Sequence, residues 1–382
     1  VPSAPASDHR CEPCTRAPSR VVVGGVRARL WRAPQPRAAI LFICGNPGVT
    51  SYYTEYLTQL YDALHGQCTI LCKGSLGIDE TGPEAPPPTG VWPFRYYGLE
   101  DQIASQSRAL DTLRDLVPPS TPLFVQGHSL GAFMALQLLN MHADKIHAMY
   151  LLFPAICHIA QAPQARITRT FLFMPVFALV HMMCWILSRI PRSWLYWIIG
   201  HTSLRYSPDA TADLVARPYA VATAVYMFHD ELRMIKDIPT HVAERAKDKI
   251  VRSYWGQGDS DSWSTSFHRR HAESALHLDR WQNVIHTAPP SKHTSTECQD
   301  ALPHAFCLRH SEAIARITSR WVQADGPGPH GPVGCCGGMA ALPRTTIALT
   351  AHVGGCASVA CPAMGFARCL ACAIGGCTER LA

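Results

Sequence analysis

The sequence predicts a protein of the α/β class, with a mostly parallel β-sheet covered by helices on both faces. Three observations lead to this prediction. Short, continuously apolar runs such as RAAILFIC and AMYLLF are typical of strands that are buried on both faces. Segments with apolar residues at helical spacing lie between these runs, so strands and helices alternate along the chain. The third observation is GHSLG at residues 127–131, which follows the apolar run LFVQ directly and begins a helical pattern.

The elements before residue 155 come in an order that fits this class. The alternating stretch VVVGGVRARLWRA predicts an antiparallel hairpin. RAAILFIC is then followed by the turn GNPG, a helix over residues 53–64, the strand CTILC and a Pro/Gly-rich loop over residues 79–93. Next come a helix in YYGLEDQIASQSRALDTLRDLV, the strand LFVQ, the helix AFMALQLLNMH and the strand AMYLLF. Ligands of such folds bind beyond the carboxyl ends of the strands, which is where GHSLG stands.

Residues 155–235 are predicted to form an apolar helical insert. Residues 171–187 are almost wholly apolar, but at ~1.5 Å per residue they would reach only ~26 Å, and they include Pro175 and His181. A helix that crosses a bilayer would leave its flanks on opposite sides, whereas the strands before and after the insert must share one sheet. The insert is therefore expected to be a hairpin or an interfacial segment broken near a proline, and the alternative is a buried cap over the site.

The predicted domain organisation has three parts. Residues 1–20 are rich in proline and serine and are expected to be a disordered leader. Residues 21–322 are expected to form the α/β domain, which contains the insert and then continues with the strand KIVRSYWG and the helix HSEAIARITSRWV. Residues 323–382 are rich in glycine, cysteine and alanine and are expected to be a disordered tail.

Composition and charge exclude several classes of function. A chain of 382 residues with 47% hydrophobic residues is long and apolar enough for a sizeable core. The formal net charge of +6 is spread along the chain without a long Lys/Arg run, so nucleic acid is not an expected partner. Cys11 with Cys14 and Cys369 with Cys372 have CxxC spacing, but zinc modules keep their ligand pairs close in sequence. Neither a metal nor a cofactor is predicted, and no phosphate-binding GxxxxGK loop occurs.

GHSLG is the pattern of a nucleophile elbow, in which two glycines permit a sharp strand-to-helix turn that exposes the serine, here Ser129. A serine hydroxyl is a weak nucleophile, so it needs a histidine base and an orienting carboxylate that follow in the order Ser, Asp, His. Asp259 and Asp261 follow the strand SYWG, and His304 lies in a short loop before the last helix. Together these residues predict a Ser-His-Asp triad.

A tetrahedral intermediate at this serine needs two backbone N–H donors aimed at its oxyanion. One is expected from Leu130, the residue after the nucleophile, and the other from the loop GNPG. Pro47 has no N–H, so Asn46 is the expected second donor. His128, beside the serine, is expected to serve packing rather than chemistry.

These motifs also carry a family resemblance. GNPG, YYGLEDQI, GHSLG, the strand end LLFP, the glycine-rich Asp loop before Trp263, and PHAF resemble the lipid-droplet-associated hydrolase family of α/β-hydrolases, over residues 37–322. The resemblance implies a serine hydrolase that cleaves esters through an acyl-enzyme, with Ser129 as nucleophile, His304 as base and an Asp between them. It further implies neutral-lipid esters as substrates, namely sterol esters and triacylglycerol. It also implies attachment to lipid droplets or the endoplasmic reticulum membrane, here through residues 166–200.

Two departures from the family pattern affect the site. Asp259 keeps the family spacing from Gly256, whereas Asp261 keeps the spacing to Trp263, and Asp259 is the preferred candidate. Residues 283–300 form a longer stretch than the family loop and are interpreted as an insertion that loosens the position of His304.

The sequence also allows two other functions. A non-catalytic protein that tethers a droplet or membrane would keep the same fold and use the apolar insert to bind a surface. A soluble peptidase or thioesterase would share the triad and differ in the shape of its pocket.

Overall fold

The computed structural model describes residues 17–79, 82, 85–88, 96–280, 291–298 and 302–326. The predicted leader lies outside the described residues up to residue 16, and so does the predicted tail from residue 327 onward. Cys11, Cys14, Cys369 and Cys372 lie there too. Both predicted bounds are wrong by a few residues, because Ser19 and Arg20 begin a strand and the last helix continues to Asp325.

A single nine-stranded sheet forms the centre of the described part, in the order β1-β2-β4-β3-β5-β6-β7-β9-β8. The strands are β1 (Ser19–Val23), β2 (Val26–Trp31), β3 (Ala38–Ile43), β4 (Cys68–Lys73), β5 (Leu123–His128), β6 (Ala148–Leu152), β7 (Ile250–Trp255), β8 (Asp279–Arg280) and β9 (His293–Glu297). β1 and β2 pair antiparallel, as do β2 and β4, and the other neighbours are parallel. The α/β class and the mostly parallel sheet are thus confirmed.

The strand sequences account for this arrangement. Every residue of β3, β4, β5 and β6 is buried, as expected for parallel strands that helices cover on both faces. The β1-β2 hairpin turns at Gly24 and Gly25, whose φ angles of 55° and 75° lie in the left-handed region that favours glycine. The hairpin lies at one edge of the sheet, and the parallel strands make up its centre.

Helices of the core pack in two groups, α1 with α11, and α3 with both α2 and α9. The helices are α1 (Thr54–Ala63), α2 (Leu99–Asp115), α3 (Leu130–His142), α4 (Pro163–Thr168), α5 (Met174–Leu187), α6 (Arg192–Gly200), α7 (Pro208–Val215), α8 (Pro218–Met234), α9 (Thr240–Ala246), α10 (Ser266–Ala275) and α11 (Ser311–Asp325).

The predicted apolar insert contains helices α4 to α8, which lie between β6 and β7. β7 returns to the sheet directly beside β6, with Ile250 opposite Ala148, so both flanks of the insert enter one sheet. Within the described ranges, none of the helices has both the length and the apolar composition that a bilayer span requires. The segments Pro163–Leu172 and Met174–Leu187 meet those requirements only as a pair, and they are bent by 79°.

The stretch expected to be an insertion, residues 283–300, is not a loop throughout, because His293–Glu297 within it is the strand β9, which pairs with β7 in parallel. Residues 283–290, 299 and 300 lie outside the described residues, so the expected insertion stays a prediction. The strand is hidden from an apolar pattern because its buried side chains are hydroxylic. The Thr294 hydroxyl accepts a hydrogen bond of 3.0 Å from Arg252, and the Ser295 hydroxyl donates one of 2.8 Å to Glu273. Buried polar groups with such partners are tolerated in a sheet.

Candidate active site

Ser129 sits at the sharp turn between β5 and α3, with φ 53° and ψ −121°. Two glycines make the turn feasible, because a Cβ on Gly127 would stand 2.2 Å from the carbonyl oxygen of Gly131. A Cβ on Gly131 would stand equally close, at 2.2 Å, to the carbonyl oxygen of Ile43 in β3. This close packing of strand, turn and helix holds Ser129 in a backbone conformation that is unfavourable for a non-glycine residue.

His304 and Asp261 complete a chain of hydrogen bonds that begins at Ser129. The Nε2 atom of His304 lies 2.8 Å from Ser129 Oγ, and its Nδ1 atom lies 2.8 Å from Asp261 Oδ2. A carboxylate only accepts, so Nδ1–H donates to Asp261, and Nε2 is left as the acceptor of the serine proton. His304 and Asp261 are 4% and 3% exposed, so little water competes for these contacts.

The Asp261 carboxylate is held ionised by its surroundings. Burial by itself would raise the pKa of Asp261, but the charge and hydrogen bond of His304 and two backbone N–H donors outweigh it, and the pKa is lowered. Those donors are Trp263, at 2.9 Å from Oδ1, and Ser264, at 3.2 Å. A carboxylate that accepts several hydrogen bonds in a fixed loop is suited to orient an imidazole.

The structure corrects the choice of carboxylate, because Asp261 rather than Asp259 contacts His304. Asp259 is exposed, and its Oδ1 accepts from the backbone N–H and the hydroxyl of Ser266, at 2.9 and 2.7 Å. The spacing from Gly256 pointed to the wrong residue because the loop folds back on itself. A Cβ on Gly256 would stand 2.6 Å from the Cβ of Asp261, so this glycine makes room for Asp261.

The two expected oxyanion donors lie beside the serine. Asn46 and Ser129 both line one pocket, and Leu130 is the first residue of α3, where a backbone N–H has no acceptor within the helix. Gly45 brings the two loops together, since a Cβ there would stand 3.0 Å from Ser129 Cβ. Among the described residues, no acceptor is bonded to the N–H of Asn46 or of Leu130. The assignment of these two groups as oxyanion donors stays a prediction.

The pocket over Ser129 has apolar walls, which the insert supplies in large part. Side chains from the insert that line it include Phe171, Val180, Leu214, Val221 and Phe228. The core supplies the polar end, where Ser129 and His304 meet Asn46. A pocket of this kind suits a largely apolar molecule with one reactive polar group.

His128 makes hydrogen bonds that the sequence did not reveal. The Gly45 N–H donates to the Tyr53 hydroxyl at 3.1 Å, the hydroxyl lies 2.8 Å from His128 Nδ1, and His128 Nε2 lies 2.9 Å from the carbonyl oxygen of His304. A carbonyl only accepts, so Nε2 carries the proton and Nδ1 accepts from Tyr53. The pKa of His128 is lowered to about 3, mainly because the ring is buried, so the ring is neutral at physiological pH.

This network joins the loop of Asn46 to the loop of His304. Gly45 precedes Asn46 in the chain, and the carbonyl that His128 binds belongs to His304 itself. His128 is thus fixed by hydrogen bonds as well as by packing, and the expectation that it takes no part in the chemistry stays a prediction. The sequence signal that was available is the position of His128 directly before Ser129, at the same strand end.

Metal ligands are not grouped in the described part of the chain: no three His, Cys, Asp or Glu side chains there are arranged to hold an ion. The polar groups around Ser129 are engaged with one another instead, through the contacts of His304, Asp261, His128 and Tyr53.

Comparison with known proteins shows the family to which the chain is related. The model of a family described as lipid-droplet associated hydrolase matches residues 36–307, more than half of the chain. The lipid droplet-associated hydrolase of Rattus norvegicus is 23% identical over 309 residues, which cover 75% of this chain and 85% of that protein. The lipid droplet-associated hydrolase of Drosophila melanogaster is 25% identical over 310 residues, which cover 74% and 88%.

Solved structures show the same architecture at low sequence identity. A putative aryl esterase from Burkholderia cenocepacia has a TM-score of 0.51 at 15% identity, covering 81% of this chain and 98% of its own. A thermophilic esterase from Thermogutta terrifontis has a TM-score of 0.50 at 12% identity, covering 81% and 100%. At such identities the likeness concerns the fold. The chain has the α/β-hydrolase fold and belongs to the lipid-droplet-associated hydrolase family.

Proposed function

We propose that the protein is a serine ester hydrolase that acts on neutral-lipid esters, namely sterol esters and triacylglycerol, at lipid droplets or the endoplasmic reticulum membrane. The observation that carries the proposal is the unbroken hydrogen-bond chain from Ser129 through His304 to Asp261, at 2.8 Å for each step. Membership of a hydrolase family and the apolar pocket above Ser129 support it.

The geometry suggests the order of proton transfers. His304 Nε2 accepts the hydroxyl proton of Ser129 as Oγ attacks the ester carbonyl carbon, and Asp261 stabilises the imidazolium that forms. The N–H groups of Leu130 and Asn46 donate to the oxyanion of the tetrahedral intermediate. His304 then returns the proton to the leaving alcohol, and an acyl group remains on Ser129. Water attacks this acyl-enzyme with His304 again as base, releasing the acid.

An active-site-directed fluorophosphonate tests this proposal against the non-catalytic tether. The reagent labels a serine only where a base activates it, so the wild type is expected to be labelled and Ser129→Ala is not. A panel of sterol, triacylglycerol and short soluble esters, measured with both proteins, then identifies the esters cleaved through Ser129. Absence of label on a folded wild type would favour the tether.

The insert also presents an apolar face to the outside, and we propose that it contacts the lipid surface. This face consists of exposed side chains of residues 166–200, which are Ile167, Phe173, Met174, Leu179, Met182, Trp185, Ile186, Trp194 and Trp197. Arginines border it, and the guanidinium of Arg189 lies 3.9 Å from the ring centre of Trp185. Amphipathic rings beside cationic groups are suited to a headgroup boundary.

The cap and the surface-binding interpretations of the insert use different side chains. Phe171 and Val180 point into the pocket and are 6% and 2% exposed, whereas Trp194 and Trp197 are 64% and 65% exposed. Deleting residues 171–199 would therefore remove pocket walls together with the outer face. Substitution of the outer side chains separates the two roles.

We expect Phe173→Ser combined with Trp194→Ser and Trp197→Ser to reduce flotation with droplets in a density gradient by about tenfold or more. Each large side chain that leaves an apolar phase costs ~1.5–3 kcal/mol. Hydrolysis of a short soluble ester should stay within about twofold, because none of the three lines the pocket. Val22→Ser with Met141→Ser, two exposed apolar residues elsewhere, is the matched control and should float normally. Normal flotation of the triple variant would exclude this face as the anchor.

Tyr53→Phe should lower kcat for a short ester by about tenfold to 100-fold, because small displacements of catalytic groups have effects of this order. The change leaves the Gly45 N–H and His128 Nδ1 without partners, and so loosens both loops. The matched control is Tyr56→Phe, which removes another buried hydroxyl, bonded to Gln126 and Thr318. Both variants should lose ~1–3 kcal/mol of unfolding free energy. Equal kcat values in the two variants would show that the Tyr53 network is structural only.

A further inference from the structure

Glu231 is a buried carboxyl group in the wall of the otherwise largely apolar pocket. It lies near the end of α8, in the insert, and is only 4% exposed. Carboxyl groups are rarely buried unless a partner satisfies them. Packing alone does not explain why a carboxyl group is buried in the pocket wall.

Asn46 satisfies half of this carboxyl group. The side-chain amide of Asn46 donates to Glu231 Oε1 at 2.8 Å and to the carbonyl oxygen of Ala224 at 3.0 Å, so both amide protons are directed to α8. The other carboxyl oxygen of Glu231 has no hydrogen-bond partner among the residues that the structure describes. The backbone N–H of Asn46 is the expected oxyanion donor, and the side chain of the same residue bonds Glu231. The second carboxyl oxygen of Glu231 is therefore expected to lie near the ester carbonyl of a bound substrate.

The remaining hydroxyl groups of the pocket are already occupied by the protein. The Tyr52 hydroxyl bonds with Thr211 at 3.0 Å, the Thr168 hydroxyl donates to the Gln164 carbonyl at 2.9 Å, and the Tyr53 hydroxyl is held by His128. Of the hydroxyl and carboxyl side chains that line the described pocket, Glu231 alone keeps an oxygen without a hydrogen bond.

The group is able both to donate and to accept. Burial is the largest cause that raises the pKa of Glu231, to about 8, with the Asn46 hydrogen bond acting against it and the charge of Asp230 acting with it. At neutral pH the carboxyl group is mostly protonated, so it offers an O–H donor and acceptor positions. A substrate hydroxyl has the same two capacities and is the complementary group.

We propose that Glu231 binds a free hydroxyl group of the substrate and so makes the protein selective for fatty esters that carry a hydroxyl next to the ester, such as partial glycerides. The inference rests on the proposed ester hydrolysis at Ser129 and replaces part of that proposal: sterol esters and triacylglycerol carry no free hydroxyl group, so hydroxylated esters would be preferred to them. A hydroxyl buried in an apolar pocket without a partner loses its hydrogen bonds to water, whereas one placed at Glu231 regains them. Sites built to bond a hydroxyl group discriminate against analogues that lack it.

The test compares two esters with the same acyl chain, 1-monooctanoylglycerol and propyl octanoate, which differ in two hydroxyl groups. For the wild type, kcat/KM is expected to be about tenfold to 100-fold higher for the glyceride than for propyl octanoate. This ratio is smaller than the discrimination that sites built to bond a substrate hydroxyl group can achieve. Glu231→Leu should bring that ratio close to one, chiefly by raising KM for the glyceride. Glu231→Gln keeps an acceptor for Asn46 and an amide donor, so it should retain part of the preference.

Controls separate recognition from positioning. Val225→Ala removes a pocket side chain of the same helix without changing a polar group, and should affect both esters alike. If Glu231→Leu lowers kcat/KM for both esters equally, Glu231 only positions Asn46, and the proposal is overturned. An unchanged ratio in Glu231→Leu, or a wild type without preference, overturns it as well.

Binding measured without turnover keeps the inference distinct from the proposed reaction. In a Ser129→Ala background, octylglycerol should bind about tenfold more tightly than octyl propyl ether by calorimetry. The added change Glu231→Leu should abolish this difference. If neither ester is cleaved through Ser129 but the binding difference holds, the proposed hydrolysis fails and the hydroxyl site stands. Equal binding of the two ethers removes the hydroxyl site whatever the activity.

Discussion

Ser129→Ala is expected to remove nearly all ester hydrolysis, with a loss on the order of 10³-fold or more, and His304→Ala should have a similar effect. The nucleophile and the base act on the same proton, which is shared across the 2.8 Å contact between Ser129 Oγ and His304 Nε2. Once one of them is removed, the other has little left to contribute. The double variant should therefore be hardly less active than either single variant.

Rates on the best ester of the panel, together with circular dichroism spectra, check this prediction. The spectra should match the wild type, because Ser129→Ala removes one hydroxyl and leaves the glycines of the turn in place. Retention of more than about a tenth of the activity in Ser129→Ala would mean that the nucleophile is misassigned. Multiplicative losses in the double variant would mean that the two residues act independently.

The second large effect is expected from Asp261→Asn, which should lower kcat by about 10²- to 10⁴-fold. An amide presents an N–H group or a neutral oxygen to His304 Nδ1, so it favours the wrong tautomer and stabilises the imidazolium poorly. The Trp263 and Ser264 N–H groups can still bond the amide oxygen, which preserves the loop.

Asp259→Asn is the matched control for this change. Asp259 is exposed and bonds Ser266, so its conversion to Asn should alter kcat by less than about threefold, as expected of a surface change away from the reacting atoms. A steady-state comparison of the two variants on one soluble ester decides the matter. A large loss in Asp259→Asn with a small one in Asp261→Asn would overturn the assignment drawn from the geometry.

The sequence by itself determined the fold class and two members of the candidate site. Fully buried parallel strands must be apolar along their whole length, so β3 to β6 are visible as apolar runs. The turn at Ser129 requires glycines at 127 and 131 for steric reasons, and such a requirement leaves a local pattern. His304 could also be identified from the sequence, because the chain order Ser, Asp, His and a short loop before the last helix restrict the choice of base.

Tertiary structure alone decided the groups whose roles depend on contacts between distant parts of the chain. Local spacing supports Asp259 on one side and Asp261 on the other, and only the folding of their loop against Gly256 turns Asp261 toward His304 and Asp259 toward Ser266. The strand β9 is stabilised by buried hydroxyl contacts rather than by apolar residues, so it has no periodic signal.

The same reason applies to His128 and Glu231. His128 bonds to Tyr53 and to the backbone of His304, which are 75 and 176 residues away, and Glu231 meets Asn46 across 185 residues. A histidine or a glutamate in a sequence is most often a solvated surface residue; nothing adjacent in the chain marks Glu231 as buried, and for His128 only its position beside Ser129 does. Their hydrogen-bonding roles arise from the packing of the insert and the His304 loop over the carboxyl ends of the strands, which local sequence does not specify.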